Sequence, residues 1–116
     1  MDEEGDRDFS KSIVFGFFDQ AKETFDQMEK EIQNKDLEKL SSLGHFLKGS
    51  SATLGFNKVR DECEKIQHYG HNKDATGETD IKDNEACLRL INESVAEATK
   101  QHATVKKLMD SFYAES

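Results

Sequence analysis

Leu43-Gly44-His45-Phe46-Leu47-Lys48-Gly49-Ser50-Ser51-Ala52-Thr53-Leu54-Gly55 sets a helical apolar rhythm and places one histidine off it. At about 100° per residue, Leu40, Leu43, Leu47, Ser51 and Leu54 share one stripe of a helix, with Leu37 near its edge. His45 stands roughly 140° round from Leu40 and faces water. Ser41 and Ser42 lie one turn before it, and Lys48 and Gly49 one turn after. Cα–Cβ bonds tilt toward the helix N-terminus, so a long side chain at position 49 would lean over the ring. Glycine leaves the imidazole uncovered, at a helix cost of about 1 kcal/mol relative to alanine.

Two readings account for that cost. Gly44 and Gly49 can let a neighbouring helix approach closely, with His45 an ordinary surface residue. Alternatively, something bulky must reach an imidazole nitrogen in line. A phosphoryl group fits the second reading, because histidine is a nucleophile that forms covalent intermediates. Lys48, one turn on, supplies a point charge for phosphate oxygens.

Outward from this stretch the chain reads as helices. Asp36 is a suitable N-cap for the His45 helix, and Gly55 suits its left-handed C-terminal position. Before it, Val14, Phe17, Phe18, Ala21, Phe25, Met28 and Ile32 step by three or four, predicting a helix to about Asn34 that starts near Asp8 or Phe9, with Asp8 or Ser10 as cap. Ile13 and Phe15 fall off this stripe. After Gly55, Asn57 is the expected cap of a third helix whose inward side is Phe56, Val59, Cys63 and Ile66. Gln67 sits roughly 40° from Cys63, beside that side, where its amide can cross to the His45 helix and fix the ring's tautomer. Residues 73–83 are polar, read as a loop, and look the most expendable part of the fold. Leu88, Ile91, Val95, Ala98, His102, Val105, Met109 and Phe112 then form an unbroken stripe of about eight turns, with His102 expected to be partly buried and hydrogen-bonded. The expected fold is all-α: an antiparallel up-down four-helix bundle over residues 9–116, with a short extra N-terminal helical turn allowed for. Residues 1–8 read as a flexible acidic lead-in.

The composition narrows function. With 116 residues there is room for one core and no second catalytic module. A net charge of -8 argues against nucleic acid or an anionic membrane as partner. No secretory signal or spanning segment is evident, so the expected location is cytoplasmic, extending to the nucleus. Cys63 and Cys87 read as buried free thiols. His68 and His71 flank Gly70, which ends the helix between them, and no ligand set surrounds them, so no metal site is expected. Lacking a nucleotide loop or a carboxylate cluster for Mg²⁺, the chain should have no autonomous kinase activity.

His45-Phe46-Leu47-Lys48-Gly49-Ser50-Ser51-Ala52-Thr53-Leu54-Gly55 resembles the H-x-L-K-G-S-S-x-x-L-G signature of histidine-containing phosphotransfer (HPt) domains. Through Cys63-Glu64-Lys65-Ile66-Gln67 it is similar to the fungal phosphorelay intermediates in particular. A histidine-kinase dimerisation hairpin would show an acidic residue after the histidine and a nearby proline; here Phe46 follows and the chain has no proline. The resemblance implies a monomeric relay in which His45 accepts a phosphoryl group from a receiver-domain aspartate of a hybrid histidine kinase and passes it to a response regulator. It implies no cofactor on this chain, with Mg²⁺ on the receiver. Lys48 would steady phosphate charge, Gly49 would give access, and Gln67 would orient His45. Ile13, Phe15 and Phe18 are expected to dock the receiver with Ser41, Ser42 and Ala52, and Lys11, Lys58 and Arg60 are further candidates. The competing expectation is a helical adaptor without covalent chemistry, using the same apolar patch on the first helix.

Overall fold

A computed structural model describes the backbone of residues 3–114 and the side chains of residues 12–112. Four helices follow one another: α1 (Glu3–Asn34), α2 (Leu37–Leu54), α3 (Asn57–Gly70) and α4 (Asn84–Ala114). α1 packs on α2 and α4, and α3 packs on α2 and α4, so the helices run round the bundle in chain order. This is the all-α up-down architecture that short links impose. Among the described residues no helix is long and apolar enough to cross a membrane.

The stripes meet in one core. Phe17, Phe18, Ala21, Phe25 and Met28 of α1 face Leu40 and Leu47 of α2, Val59, Cys63, Ile66 and Tyr69 of α3, and Leu88, Ile91, Val95 and Ala98 of α4. Both thiols are free and buried. Desolvation pushes the Cys63 thiol up to about 12, so it stays protonated as a small core hydrophobe.

The helix ends explain the connections. The Asp36 side chain accepts the Lys39 N–H at 3.0 Å. Gly55 adopts φ +79°, and the Gly55 and Phe56 N–H groups return to Ala52 and Ser51 at 3.2 and 2.9 Å. Glu31 joins α1 to α2 by accepting from Asn34 at 3.0 Å and meeting the Lys39 ammonium at 3.4 Å. The Asn34 bond, with Lys39, holds this carboxyl below its usual range.

Four expectations need correction. α1 is helical from Glu3, so Asp8 and Ser10 lie inside it rather than at its cap, and no separate N-terminal turn precedes it within the described backbone. Phe56, not Asn57, is the N-cap of α3, and it makes no side-chain cap bond; the Gly55 turn already settles the chain there. Phe112 is 56% exposed, because α2 and α3 stop short of the C-terminal end of α4. The 73–83 stretch is the loop read from the sequence, but hydrogen bonds tie most of it together instead of leaving it loose. The Asp74 carboxylate accepts from the Thr76 hydroxyl at 2.7 Å and the Thr76 and Glu78 N–H groups at 3.1 and 3.2 Å. Asn72 donates to the Asn84 side chain at 2.7 Å, Lys73 pairs with Asp80, and His68 Nδ1–H donates to the Ala75 carbonyl at 2.8 Å.

Candidate functional site around His45

α2 presents His45 to solvent, with Phe46 also exposed and Lys48 half-buried. The flanking glycines have different jobs. A β-carbon on Gly44 would come within 2.8 Å of the Cys63 carbonyl oxygen and 3.0 Å of the Gln67 nitrogen, so this glycine lets α3 approach. A β-carbon on Gly49 would meet nothing within 4 Å. Helix packing therefore accounts for Gly44 and leaves Gly49 as open space one turn from the imidazole.

α3 closes one flank. The Ser41 hydroxyl donates to the Gln67 carbonyl at 3.0 Å, and Gly70 rests against Ser41 and Leu37. The Gln67 side-chain oxygen is buried and has no hydrogen-bond partner. The expected bond from Gln67 to the His45 ring is thus not formed here. Its main chain is engaged at the seam with α2, and its amide oxygen is left with an open acceptor.

The expected docking residues separate on burial. Ile13 is exposed, as are Ser42 and Ala52. Phe18 is 1% exposed and belongs to the core: it stacks on Phe56 and meets His102 edge-on. Phe15 is partly buried and packs edge-on to Phe18 at 5.7 Å. Ser41 is buried because it lies between the core stripe and His45, on the side turned to α3. Phe18 and Ser41 are therefore unavailable to a partner, and the adaptor reading keeps only Ile13 fully on the surface. Arg60 is paired with Asp61 and Lys58 is exposed, while the Lys11 side chain lies outside those described.

Phe46 is what the sequence reading passed over. It is 47% exposed and flanks His45 on the side away from α3. The signal was present: a large apolar residue roughly 120° off the Leu40 stripe. Beyond it, Ile13, Phe17, Gln20, Ser50, Thr53 and Leu54 line a shallow, largely apolar groove between α1 and α2. His68 and His71 do not converge: His68 holds the loop through Ala75, and His71 caps α3 in solvent.

Comparison with known proteins agrees with this geometry. The Hpt domain family profile matches residues 13–106. Multistep phosphorelay regulator 1 of Schizosaccharomyces pombe is 41% identical over 116 residues, which is 100% of this chain and 39% of that protein. Phosphorelay intermediate protein YPD1 of Candida albicans is 57% identical over 70 residues, 60% of this chain and 36% of that protein. The chain thus spans less than half the length of these relatives. Among solved structures, Saccharomyces cerevisiae Ypd1, co-crystallised with the receiver domain of its downstream response regulator Ssk1, superposes with a TM-score of 0.84 at 32% identity, over 98% of this chain and 87% of that one.

Proposed function

The chain belongs to the Hpt domain family, and on that footing we propose that it is a phosphorelay intermediate with His45 as phosphoacceptor. A ring nitrogen attacks the phosphorus of an aspartyl phosphate on one receiver domain. The N–P bond forms as the acyl-phosphate O–P bond breaks and the carboxylate leaves. A second receiver then reverses the step, its own aspartate taking the phosphoryl group from the imidazole. The observation that carries this reading is the exposed imidazole beside the empty space at Gly49. In-line transfer needs that room, since phosphoryl transfer is largely positioning and charge stabilisation.

Lys48 has the role of a point charge for the transferring oxygens. Gln67 has the role of orienting the ring: its buried, unpartnered oxygen offers an acceptor to an imidazole N–H once the two side chains turn toward each other. Ile13, Phe46, Ser42 and Ala52 frame the approach to His45. The partners are receiver domains of a hybrid histidine kinase and of response regulators, with the Mg²⁺ held on the receiver. The similar Ypd1 protein, seen with a receiver domain, supports this choice of partner. Each relay molecule acts as a monomer.

The test is to incubate the protein with a phosphorylated receiver and look for acid-labile, alkali-stable label. Wild type takes the label and His45→Gln takes none. An unlabelled wild type, or equal labelling of the variant, overturns the proposal.

A further inference from the structure

His102 stands where the four-helix part of the molecule gives way to a two-helix arm. Among the described side chains it is the last buried residue of α4, with Val105 and Met109 beyond it only partly covered. Among the described side chains, Phe17 and Phe18 are the first buried residues of α1. Phe56, in the α2–α3 link, stacks on Phe18 at 5.7 Å and marks how far α2 and α3 reach. Past that level no described side chain of α1 or α4 is fully buried, and of α1 Ile13 still lines the groove beside α2.

The imidazole is 8% exposed and closes the junction. Its edge contacts with Phe18 and Phe25 of α1 have centroid separations of 5.3 and 5.6 Å. Nε2–H donates to the Phe18 carbonyl at 3.0 Å, a bond that the ring makes in either charge state. A second proton would place a charge where no described carboxylate pairs with it. On α4 the Lys106 ammonium repels it. On α1 the ring meets two phenylalanines and a carbonyl, and Asp19, Lys22, Glu23 and Asp26 of that stretch are exposed. Phe56 brings no charge. Desolvation is the main cause that holds the ring below its ordinary 6.5; the Phe18 bond opposes it and Lys106 adds to it.

We propose that His102 is an acid-sensitive latch: neutral, it ties α4 to α1, and its protonation releases the α1 segment that brings Ile13 and Phe17 to the groove beside α2. The latch is a property of the fold. Its consequence, weaker receiver docking on acidification, rests on the relay reading. Local opening of this kind is expected where few buried apolar contacts hold a segment, as at residues 12–16.

The experiment follows the His102 ring by NMR, together with amide exchange in α1, from about pH 7.5 to about pH 5, where histidine changes charge. It compares wild type with His102→Gln, which keeps an N–H donor for the Phe18 carbonyl and does not titrate. In wild type, protection around residues 13–18 falls by as much as about tenfold per pH unit below 6.5 and above the native value of the ring. In His102→Gln it stays flat; the other three histidines are common to both proteins. Should the ring titrate in wild type with no change in α1 exchange, or should both proteins lose protection equally, the latch is overturned. If the variant does not fold, wild type decides the matter alone: protection that begins to fall near 6.5 and levels off at the ring's own NMR midpoint supports the latch, and a fall unrelated to that midpoint overturns it. Receiver binding is read on the same samples. Acid weakening common to both proteins overturns the docking consequence, whereas a receiver that binds neither at pH about 7.5 counts against the relay reading and leaves the exchange result standing.

Discussion

A β-carbon on Gly70 would lie 2.6 Å from the Ser41 β-carbon and 2.7 Å from the Leu37 carbonyl oxygen. α2 and α3 meet there backbone to backbone, as they do again at Gly44. Gly70→Ala and Gly44→Ala must push the helices apart or bend them. Each is expected to cost about 1–3 kcal/mol, read as a lower urea midpoint at unchanged slope. A wild-type midpoint in both would mean that the seam is slack.

Gly49 should behave in the opposite way. With nothing within 4 Å of its β-carbon position, Gly49→Ala is expected to gain up to about 1 kcal/mol of helix stability. Gly49→Gln should also keep the fold, while its longer side chain leans toward the imidazole and slows phosphoryl transfer by about tenfold or more. A melt and a transfer assay on the same preparations separate the two effects. Unchanged transfer in Gly49→Gln would remove the steric argument.

Gln67 holds a buried oxygen that nothing satisfies. Gln67→Met keeps the bulk and discards that oxygen, so stability should hold or rise by up to about 1 kcal/mol. Transfer should nevertheless slow by about tenfold as the imidazole loses its orienting partner. A clear drop in stability instead would show that the amide works for the fold, and its assignment to the ring would be withdrawn.

Asp74 sets an acid limit on the loop. The bond from the Thr76 hydroxyl is the first cause, with the backbone N–H groups of Thr79, Glu78 and Thr76 adding to it, and together they hold its carboxyl at about 2, down from 3.8. A depressed native value means that the contribution is complete above 3.8 and is lost as pH falls through about 2. Asp74→Ala should therefore melt below wild type at neutral pH, the gap closing as acid reaches that window. Limited proteolysis should cut the variant first within residues 71–83. A gap that persists below pH about 2 would point to lost packing rather than to the carboxylate.

Much of the bundle was legible because it is periodic. Leu40 and Leu47, the Phe17 to Met28 run, and the Leu88 to Ala98 run are buried as their spacing requires. The Asp36 cap and the Gly55 turn are local chemistry and could be read in place. A helical wheel, however, does not know how long its neighbours are. Phe112 continues the α4 stripe yet emerges into solvent where α2 and α3 have ended. Nor does it say how far a residue off the stripe is covered: Phe15, outside the α1 stripe, is still partly buried against Phe18. Ser41 shows the same limit: it is a neighbour of His45 on paper, but α3 covers it. The order of the 71–83 link depends on where Asp74 points its oxygens, and the buried oxygen of Gln67 depends on a rotamer set by packing. Neither is written in residue type.

An even number of passes brings a chain back to the side from which it set out. Here the N-terminal end of α1 and the C-terminal end of α4 share one pole, and the Asp74 loop occupies the other. A fluorophore, a surface tether or a fused module joined at either terminus would sit at the first pole, away from the flank of α2 on which His45 stands. An insertion at Gly77 would emerge at the second. The molecule thus offers two attachment points that leave the imidazole open to an approaching protein, a useful geometry for immobilised transfer assays or for a distance reporter spanning its long axis of 56 Å.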